Sequence, residues 1–376
     1  MQKILIFTDS FLPGYKGGGP ITSIANLVLL LNDNFDILIC TSNHDFGDTQ
    51  PYNLPYDKPI QYQDFNVIYL SKMDKISIQT VIQNFNPDLL YLNSFFSVTT
   101  QIVILLNKSY FNKSCIVAPR GELQENALAI KSFKKKTYLF LYKLLKIHKN
   151  IIFHSTDEIE SISLEKHFDL KQISSLSNVV RVDSSQPLEK QEKELRLLFV
   201  SRISRKKNLL YALEVLKSVN VDISFDIYGP KEDIKYWKEC QNIIDTLPKN
   251  ISVIYKGSLS QEKIMIMMRE YHAFLFPTFS ENFGHVIVEA MQAGLVPIIS
   301  DQTPWRNLED YNAGWDIPLN EKERYKEVIE TLYVMNNEAY SKKSLAIITY
   351  IHTKLNMQKL KKQYIDFFQK AITKGQ

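Results

Sequence analysis

Two glutamates, Glu281 and Glu289, stand eight positions apart in the run Phe276-Pro277-Thr278-Phe279-Ser280-Glu281-Asn282-Phe283-Gly284-His285-Val286-Ile287-Val288-Glu289-Ala290. An apolar strand over 273–276 breaks at Pro277, crosses a short polar loop and restarts as a helix near Gly284. Glu281 then falls just before a helix N-terminus, and Glu289 falls inside the helix. Such a terminus carries unsatisfied backbone N–H groups and a partial positive charge, so it can hold a phosphate. A carboxylate on each side suits a ligand with hydroxyls at both ends and a phosphate in the middle. A nucleotide-sugar has that form. The alternative is an ordinary strand-loop-helix unit with two solvated glutamates.

Other residue groups point the same way. Arg202 and Lys207, in Ser201-Arg202-Ile203-Ser204-Arg205-Lys206-Lys207-Asn208, follow an expected strand over 195–201. An Arg and a Lys there can neutralise a diphosphate as it leaves; a solvated basic loop is the alternative. Gly17-Gly18-Gly19-Pro20 follows the first expected strand. Consecutive glycines let a ligand approach the backbone closely, although the G-x-G-x-x-G dinucleotide spacing is missing. Gly229 and Gly257 each end an expected strand and are either turn residues or ligand contacts. The hydroxyls of Thr278 and Ser280 can cap the helix or touch a nucleotide.

These residues need elements to carry them. Apolar runs fall at Ile4–Thr8, Ile37–Thr41, Val67–Leu70, Leu89–Asn93, Cys115–Pro119 and Ile151–Ser155, with helical patterns between. The rhythm repeats at Leu195–Ser201, Ile223–Tyr228, Ile251–Tyr255, Ala273–Phe276 and Val296–Ser300. Alternation of this kind means parallel sheets covered by helices. Two sets imply two Rossmann-like lobes, over 1–180 and 195–355, with the polar stretch 181–194 as a hinge. Open parallel sheets bind ligands at the carboxyl ends of their strands, so the expected site is a cleft between lobes.

The 376 residues are enough for two domains; 45% are hydrophobic and 23% charged, an ordinary soluble profile. A net charge of +4 is too mild to imply nucleic acid. No apolar run is long enough to span a bilayer. The opening Met1–Asp9 reads as a buried strand rather than a leader peptide. Cys40, Cys115 and Cys240 show no metal spacing, which fits a reducing, cytoplasmic location. From Lys131 to Lys149 a helix is expected. Lys131, Lys134, Lys135, Lys146 and Lys149 form one face, interleaved with Tyr138, Tyr142 and Leu145, while Phe133, Phe140, Leu144 and Ile147 pack inward. Such a face rests on an anionic membrane or is simply solvated.

The run around the two glutamates resembles the signature of retaining glycosyltransferase family 4, enzymes of the two-lobed GT-B fold. The resemblance rests on the glutamate spacing, Phe283-Gly284, Glu289-Ala290, Gly294 and Pro297. It is sharp from Leu195 to Pro318, where Thr303-Pro304-Trp305 and Ala313-Gly314-Trp315 resemble bacterial enzymes of surface-polysaccharide assembly. It implies an α/β GT-B architecture, two Rossmann-like doubly wound lobes facing a cleft, with a C-terminal helix (356–376) crossing back to the first lobe. The implied reaction moves a hexosyl group, with retention, from a nucleoside-diphosphate sugar to a glycan or lipid-linked acceptor, in capsule or O-antigen assembly. Glu281 would contact the donor sugar and Glu289 the ribose. Asn282, Phe283 and Gly284 would receive the diphosphate, and Arg202 and Lys207 would neutralise it. Gly18, Gly19, Gly229 and Thr278 complete the implied donor set. Where many members carry a His after 115–119, this chain has Arg120-Gly121-Glu122; Arg120 is the expected substitute and Glu122 a candidate for the acceptor. The chain contains no D-x-D triplet, so no metal or other cofactor is expected. The rival readings are a nucleotide-sugar epimerase and a non-catalytic nucleotide-sugar-binding protein.

Overall fold

The computed structural model describes residues 1–124, 128, 132–168, 173–180, 186–259 and 261–374. The chain divides into two compact units, Met1–Arg181 with Met357–Gln376, and Val182–Asn356.

Unit 1 is built on an eight-stranded sheet. Its strands are β1 (Lys3–Phe7), β2 (Asp36–Ser42), β3 (Pro59–Tyr62), β4 (Phe65–Leu70), β5 (Leu89–Asn93), β6 (Ser114–Ala118), β7 (Ile152–Ser155) and β8 (Ile173–Ser175). The order is β3-β4-β2-β1-β5-β6-β7-β8. Pairing is parallel except for β3, which lies antiparallel on β4. The helices are α1 (Gly19–Leu31), α2 (Lys75–Phe85), α3 (Val98–Leu106), α4 (Ser132–Leu144) and α5 (Glu158–His167). The side-chain period of two along β1 divides the core. Ile4 and Ile6 face α1, whereas Leu5 and Phe7 face α2 and α3.

Unit 2 has a six-stranded parallel sheet of β9 (Arg196–Val200), β10 (Ile223–Tyr228), β11 (Ile251–Gly257), β12 (Ala273–Phe276), β13 (Val296–Ser300) and β14 (Trp315–Ile317). The order is β11-β10-β9-β12-β13-β14. Its helices are α6 (Leu209–Leu216), α7 (Ile234–Ile244), α8 (Gln261–Met268), α9 (His285–Ala293), α10 (Lys322–Val334) and α11 (Asn337–Lys354). The sequence pattern does not reveal β3, β8 and β14. β8 and β14 have three residues each, too few for a period, and β3 is a four-residue edge strand with exposed alternate positions.

The last helix, α12 (Met357–Lys374), belongs to unit 1. Leu360, Tyr364, Phe367, Phe368, Ala371 and Ile372 recur at helical spacing and are buried in the core that holds Ile4, Ile6 and Tyr91. Burying each large side chain is worth about 2 kcal/mol. The expected hinge covers 181–194. Residues 181–185 lie outside the described residues, and 186–194 are built into unit 2. Leu188 N donates to Ser344 Oγ at 2.9 Å and Lys190 N to Asn337 Oδ1 at 3.0 Å. Lys190 is buried, its ammonium donating to the Gln191 and Tyr333 carbonyls.

The basic helix requires a correction of phase. α4 ends at Leu144, and Lys146 takes a left-handed conformation that starts a separate 3₁₀ turn, Ile147–Asn150. Tyr142 and Leu139 are buried, and Tyr142 packs on Phe95 and Phe168. Phe140 and Leu144, expected inside, are 65% and 64% exposed, and Leu145 is exposed with them. Lys135 lies over the Phe96 ring at 5.1 Å rather than on the outer face. Lys131 and the side chain of Lys134 lie outside the described residues. The outer face therefore carries Lys136, Phe140, Lys143 and Leu144, followed by Leu145, Lys146 and Lys149.

Buried polar groups join α12 to β5, β6 and β7. Tyr364 Oη donates to Ser177 O at 2.9 Å and lies 3.3 Å from His154 Nε2. His154 Nε2 faces Leu176 O at 3.0 Å, so the proton sits on that nitrogen; Nδ1 then accepts from Tyr91 Oη at 2.7 Å. Tyr91 Oη in turn accepts from Arg120 Nη2 at 3.0 Å. Burial, reinforced by the Arg120 charge, depresses the His154 pKa to about 3. The unfolded chain takes up this proton near pH 6.5 and the native chain does not. His154 therefore favours the fold fully above pH 6.5 and loses that contribution as pH falls towards 3. Asp157, whose carboxyl burial pushes up to about 6, acts in the opposite direction, so a comparison with a variant isolates the histidine. Relative to His154→Gln, the wild type should lose about 1.4 kcal/mol per pH unit below 6.5 in urea unfolding. A difference independent of pH would contradict the neutral, buried imidazole.

Candidate functional site

The second sheet reverses direction at β9. From β9 the chain crosses through α6 to β10 and through α7 to β11 on one side, then returns through α8 to β12 on the other. Where neighbouring crossovers leave in opposite directions, a crevice opens at the carboxyl ends of the strands. Residues 201–208 follow β9 and residues 277–284 follow β12. Strand order thus sets Arg202, Lys207 and Glu281 around one crevice.

At its centre Lys207 Nζ is ion-paired with Glu281 Oε1, with the two side chains only 14% and 10% exposed. The ammonium also lies 5.7 Å above the ring of Phe276, the last residue of β12. Backbone ties hold the two loops together. Phe279 N and Thr278 Oγ1 donate to Lys206 O at 2.9 and 3.0 Å, and Asn208 Nδ2 donates to Pro277 O at 2.9 Å. Glu281 N donates to Gln302 O at 3.0 Å.

Three residues beyond Glu281, α9 begins. Its N-cap is Gly284 at φ +75°, and no side chain caps it. Elsewhere Asp74, Asp157, Asp233 and Asn336 cap α2, α5, α7 and α11. Glycine is favoured here by the positive φ, and a Cβ would also push Ile287 Cδ1 aside, at 2.8 Å. Glu289 is half-buried in the second turn of α9, and Asn282 is half-buried in the loop. Arg202 pairs with Glu232 at 3.1 Å on the surface. Desolvation lowers the Lys206 pKa although the residue as a whole is exposed; Glu281 opposes the shift, and Lys207 and Arg202 reinforce it.

Several expected donor residues also serve the framework of the site. Thr278 is fully buried, its hydroxyl engaged with Lys206 O and Ser280 N. Phe283 is buried edge-on against Trp305, whose Nε1 donates to Phe283 O at 2.6 Å. Gly229, at φ +135°, comes so close to β9 that a Cβ would lie 1.8 Å from Ser201 O. Each of these holds the crevice in shape from behind. Phe279, beside Glu281 and 53% exposed, is the residue that motif reading passes over; its exposure follows from tertiary packing and leaves no mark in the spacing.

Unit 1 has its own reversal, between β1 and β5. Gly18 caps α1 at φ +67° without a side-chain partner for the helix, and Gly19 opens that helix. Asp9, at the end of β1, accepts from Ser97 Oγ at 2.6 Å. Arg120 Nε donates to Asn93 Oδ1 at 2.8 Å, Nη1 donates to Asn178 Oδ1 and Nη2 to Tyr91 Oη. Three of its five N–H groups are thus engaged within the unit. Glu122 is not available to an acceptor. It accepts from Ser94 Oγ at 2.6 Å and from Phe95 and Phe96 N at 2.6 and 2.9 Å. Burial pushes its carboxyl pKa up, and these three donors oppose the shift. Glu160, unnoticed in sequence, is fully buried and accepts from Gly121 N at 2.5 Å and Thr156 N at 2.7 Å. The Asp157-x-x-Glu160 spacing of a capping box was its available signal. Among the described residues no three His, Cys, Asp or Glu side chains gather as a metal-binding group.

Residues 180–348 match the family described as glycosyl transferases group 1. A protein of Klebsiella pneumoniae described as an uncharacterized 41.2 kDa protein in the cps region is 24% identical over 246 residues, covering 63% of this chain and 66% of its own length. The GDP-mannose:cellobiosyl-diphosphopolyprenol alpha-mannosyltransferase of Xanthomonas campestris is 25% identical over 182 residues, 47% of each chain. The chain therefore spans about two thirds of the first of these relatives and about half of the second. Among solved structures, sucrose-phosphate synthase from Thermosynechococcus elongatus superposes with a TM-score of 0.75 at 13% identity, over 99% of this chain and 100% of that one. Anabaena HepE, solved with UDP and glucose, gives 0.73 at 12% identity over 98% and 100%. This likeness shows the fold to be GT-B.

The Gly229 contact yields a direct test of the framework. Gly229→Ala meets both the positive φ and the Ser201 carbonyl, and should destabilise the protein by more than about 2 kcal/mol in urea unfolding. A loss under about 0.5 kcal/mol would mean that the two strand ends are not packed this closely.

Proposed function

With residues 180–348 belonging to the group 1 glycosyltransferases, we propose that the chain moves a hexosyl group from a nucleoside-diphosphate sugar to a hydroxyl of a glycan or lipid-linked acceptor, with retention. The observation that carries this reading is the Lys207–Glu281 pair at the β9/β12 reversal, three residues before an uncapped helix N-terminus. The first N–H groups of α9, with Lys207 and Arg202, receive the diphosphate. Glu281 accepts from hydroxyls of the sugar and Glu289 from those of the ribose. Lys207 and Glu281 already compensate each other. A donor that brings phosphate to one and hydroxyls to the other exchanges partners without stranding a buried charge. In the reaction the anomeric carbon–oxygen bond to the diphosphate breaks. The acceptor oxygen bonds to that carbon on the same face, and its proton passes to the leaving phosphate. The cations and helix N-terminus do the electrostatic work that a metal would otherwise do. Arg120, held by Asn93, Asn178 and Tyr91, is assigned in this reading to contact donor oxygens.

The nucleotide-sugar donor is supported by the Xanthomonas enzyme, whose name specifies GDP-mannose, and by HepE, solved with UDP and glucose. The Klebsiella relative of the cps region supports a place in capsule or O-antigen assembly. No helix among the described residues is long and apolar enough to cross a membrane. Contact with an anionic membrane at its cytoplasmic face would run instead through exposed Phe140, Leu144 and Leu145 with Lys136, Lys143, Lys146 and Lys149.

UDP, GDP, ADP and their sugars should be screened by thermal shift. One nucleotide family at 100 times its dissociation constant should add about 2.7 kcal/mol, and the gain should vanish in Glu289→Ala. With that donor and EDTA present, the wild type should keep its rate and Lys207→Ala should fall about 10²–10³-fold. Wild-type turnover in the variant removes the role of Lys207, and loss of wild-type activity in EDTA restores a metal. Product analysis separates transfer from isomerisation and from binding alone. The membrane contact predicts sedimentation with phosphatidylglycerol vesicles at low salt, reduced at least tenfold in Phe140→Ser/Leu144→Ser; equal sedimentation of both proteins contradicts it.

A further inference from the structure

Two aromatic rings stand in solvent at the carboxyl edge of the unit 1 sheet. Tyr15 is 44% exposed and Phe46 is 61% exposed. They lie in the loops that follow β1 and β2, which are adjacent parallel strands. Neither ring stacks on another aromatic ring among the described residues.

One buried carboxylate holds both loops. Asp45 is 5% exposed. Its Oδ2 accepts from Tyr15 N at 2.9 Å and from Lys16 N at 3.1 Å, and its Oδ1 accepts from Phe46 N at 2.7 Å. The backbone of each exposed aromatic therefore hangs on the same side chain. Around it the packing is close: a Cβ on Gly14 would lie 2.7 Å from Asp45 Oδ1 and 2.2 Å from Tyr52 Oη. Lys16 Nζ bridges the loops again, at 2.6 and 2.8 Å from the Asp48 carboxylate. Tyr52 Oη donates to Phe11 O at 3.4 Å, and Tyr69 Oη donates to Leu12 O. A buried carboxylate is costly unless fixed donors satisfy it. Here its donors are the amides that set the two rings in place.

Large rings exposed on a rigid support at the ligand edge of a parallel sheet offer binding area with little ordering cost. A pyranose presents an apolar C–H face that covers such a ring and equatorial hydroxyls that reach a polar rim. Lys16, Asp48 and His44, partly buried in the same two loops, are the polar side chains available for such a rim. We propose that Tyr15 and Phe46 form a stacking platform for pyranose units of the acceptor glycan, positioned by Asp45. This rests on the glycosyltransferase reading above and adds to it the residues that select an acceptor.

The test uses the full chain with cellotetraose, maltotetraose and mannotetraose as probes, followed by saturation-transfer NMR. At least one should bind the wild type. Tyr15→Ala/Phe46→Ala should weaken that binding at least tenfold, whereas Tyr15→Phe and Phe46→Tyr, which keep the rings, should retain it. Asp45→Asn should weaken it with both rings still present. The nucleotide-induced thermal shift should stay unchanged in every variant, which also shows that they fold. Binding unaffected by the double substitution, or no binding of any probe, overturns the platform. Loss of sedimentation with phosphatidylglycerol vesicles in the double variant, at unchanged oligosaccharide binding, overturns it in favour of a membrane contact. If no nucleotide shifts the wild type while ring-dependent oligosaccharide binding persists, the donor reading fails and the platform stands.

Discussion

A reversal of strand order organises this molecule. In each sheet the chain builds outward from its first strand, then returns to continue on the other side of that strand. Crossovers from the two neighbouring strands must leave in opposite directions, which opens a crevice at the strand ends between them. In unit 2 this places the loop after β9 against the loop after β12 and brings Lys207 to Glu281 across 74 residues of sequence. The helix that starts beyond Glu281 then points its N-terminus at the same place. Had β12 been added beyond β11, the cations and the carboxylate would stand at opposite edges of the sheet.

Around the crevices, charged and polar side chains divide into those that meet solvent and those that hold loops. Glu122, Glu160 and Asp45 all use carboxylate oxygens to gather backbone amides of segments that no regular ladder secures. In unit 2 the ties run the other way, with Thr278 Oγ1 and Asn208 Nδ2 donating to backbone carbonyls of the two loops. Loops need such partners because their N–H groups are buried outside helix and sheet. The result is a rigid support beneath groups that are only partly buried, such as Glu289 and Arg120, and beneath the nearly enclosed Glu281. His154 extends this support inward, connecting Arg120 through Tyr91 to the last helix of the chain.

The α4 helix shows where periodicity alone misleads. Apolar residues occupy nearly every turn of 133–147, so two phases fit the 3.6-residue repeat almost equally. Packing against Phe95 and Phe168 selects the phase with Tyr138 and Tyr142 inside, even though both hydroxyls find no hydrogen-bond partner among the described residues. Ring area buried against other rings outweighs those two polar atoms. The exposed face of this helix accordingly carries Phe140 and Leu144 in place of the tyrosines.

The β/α rhythm, the two-lobed GT-B organisation and the run from Thr278 to Ala290 were legible in the linear chain. They depend on local patterns: a period of two or of 3.6, a proline that ends a strand, a glycine that starts a helix. The identity of Glu281, Lys207 and Arg202 as crevice residues was legible for the same reason, since each follows directly on a strand end. Which side chains brace the loops was not legible. Glu122 and Glu281 are both glutamates just beyond a strand. One is enclosed by amides from the β5 loop, and the other meets a lysine from the β9 loop. Only the packing of segments distant in sequence decides between those surroundings, because burial and partner geometry, not residue type, set what a carboxylate does.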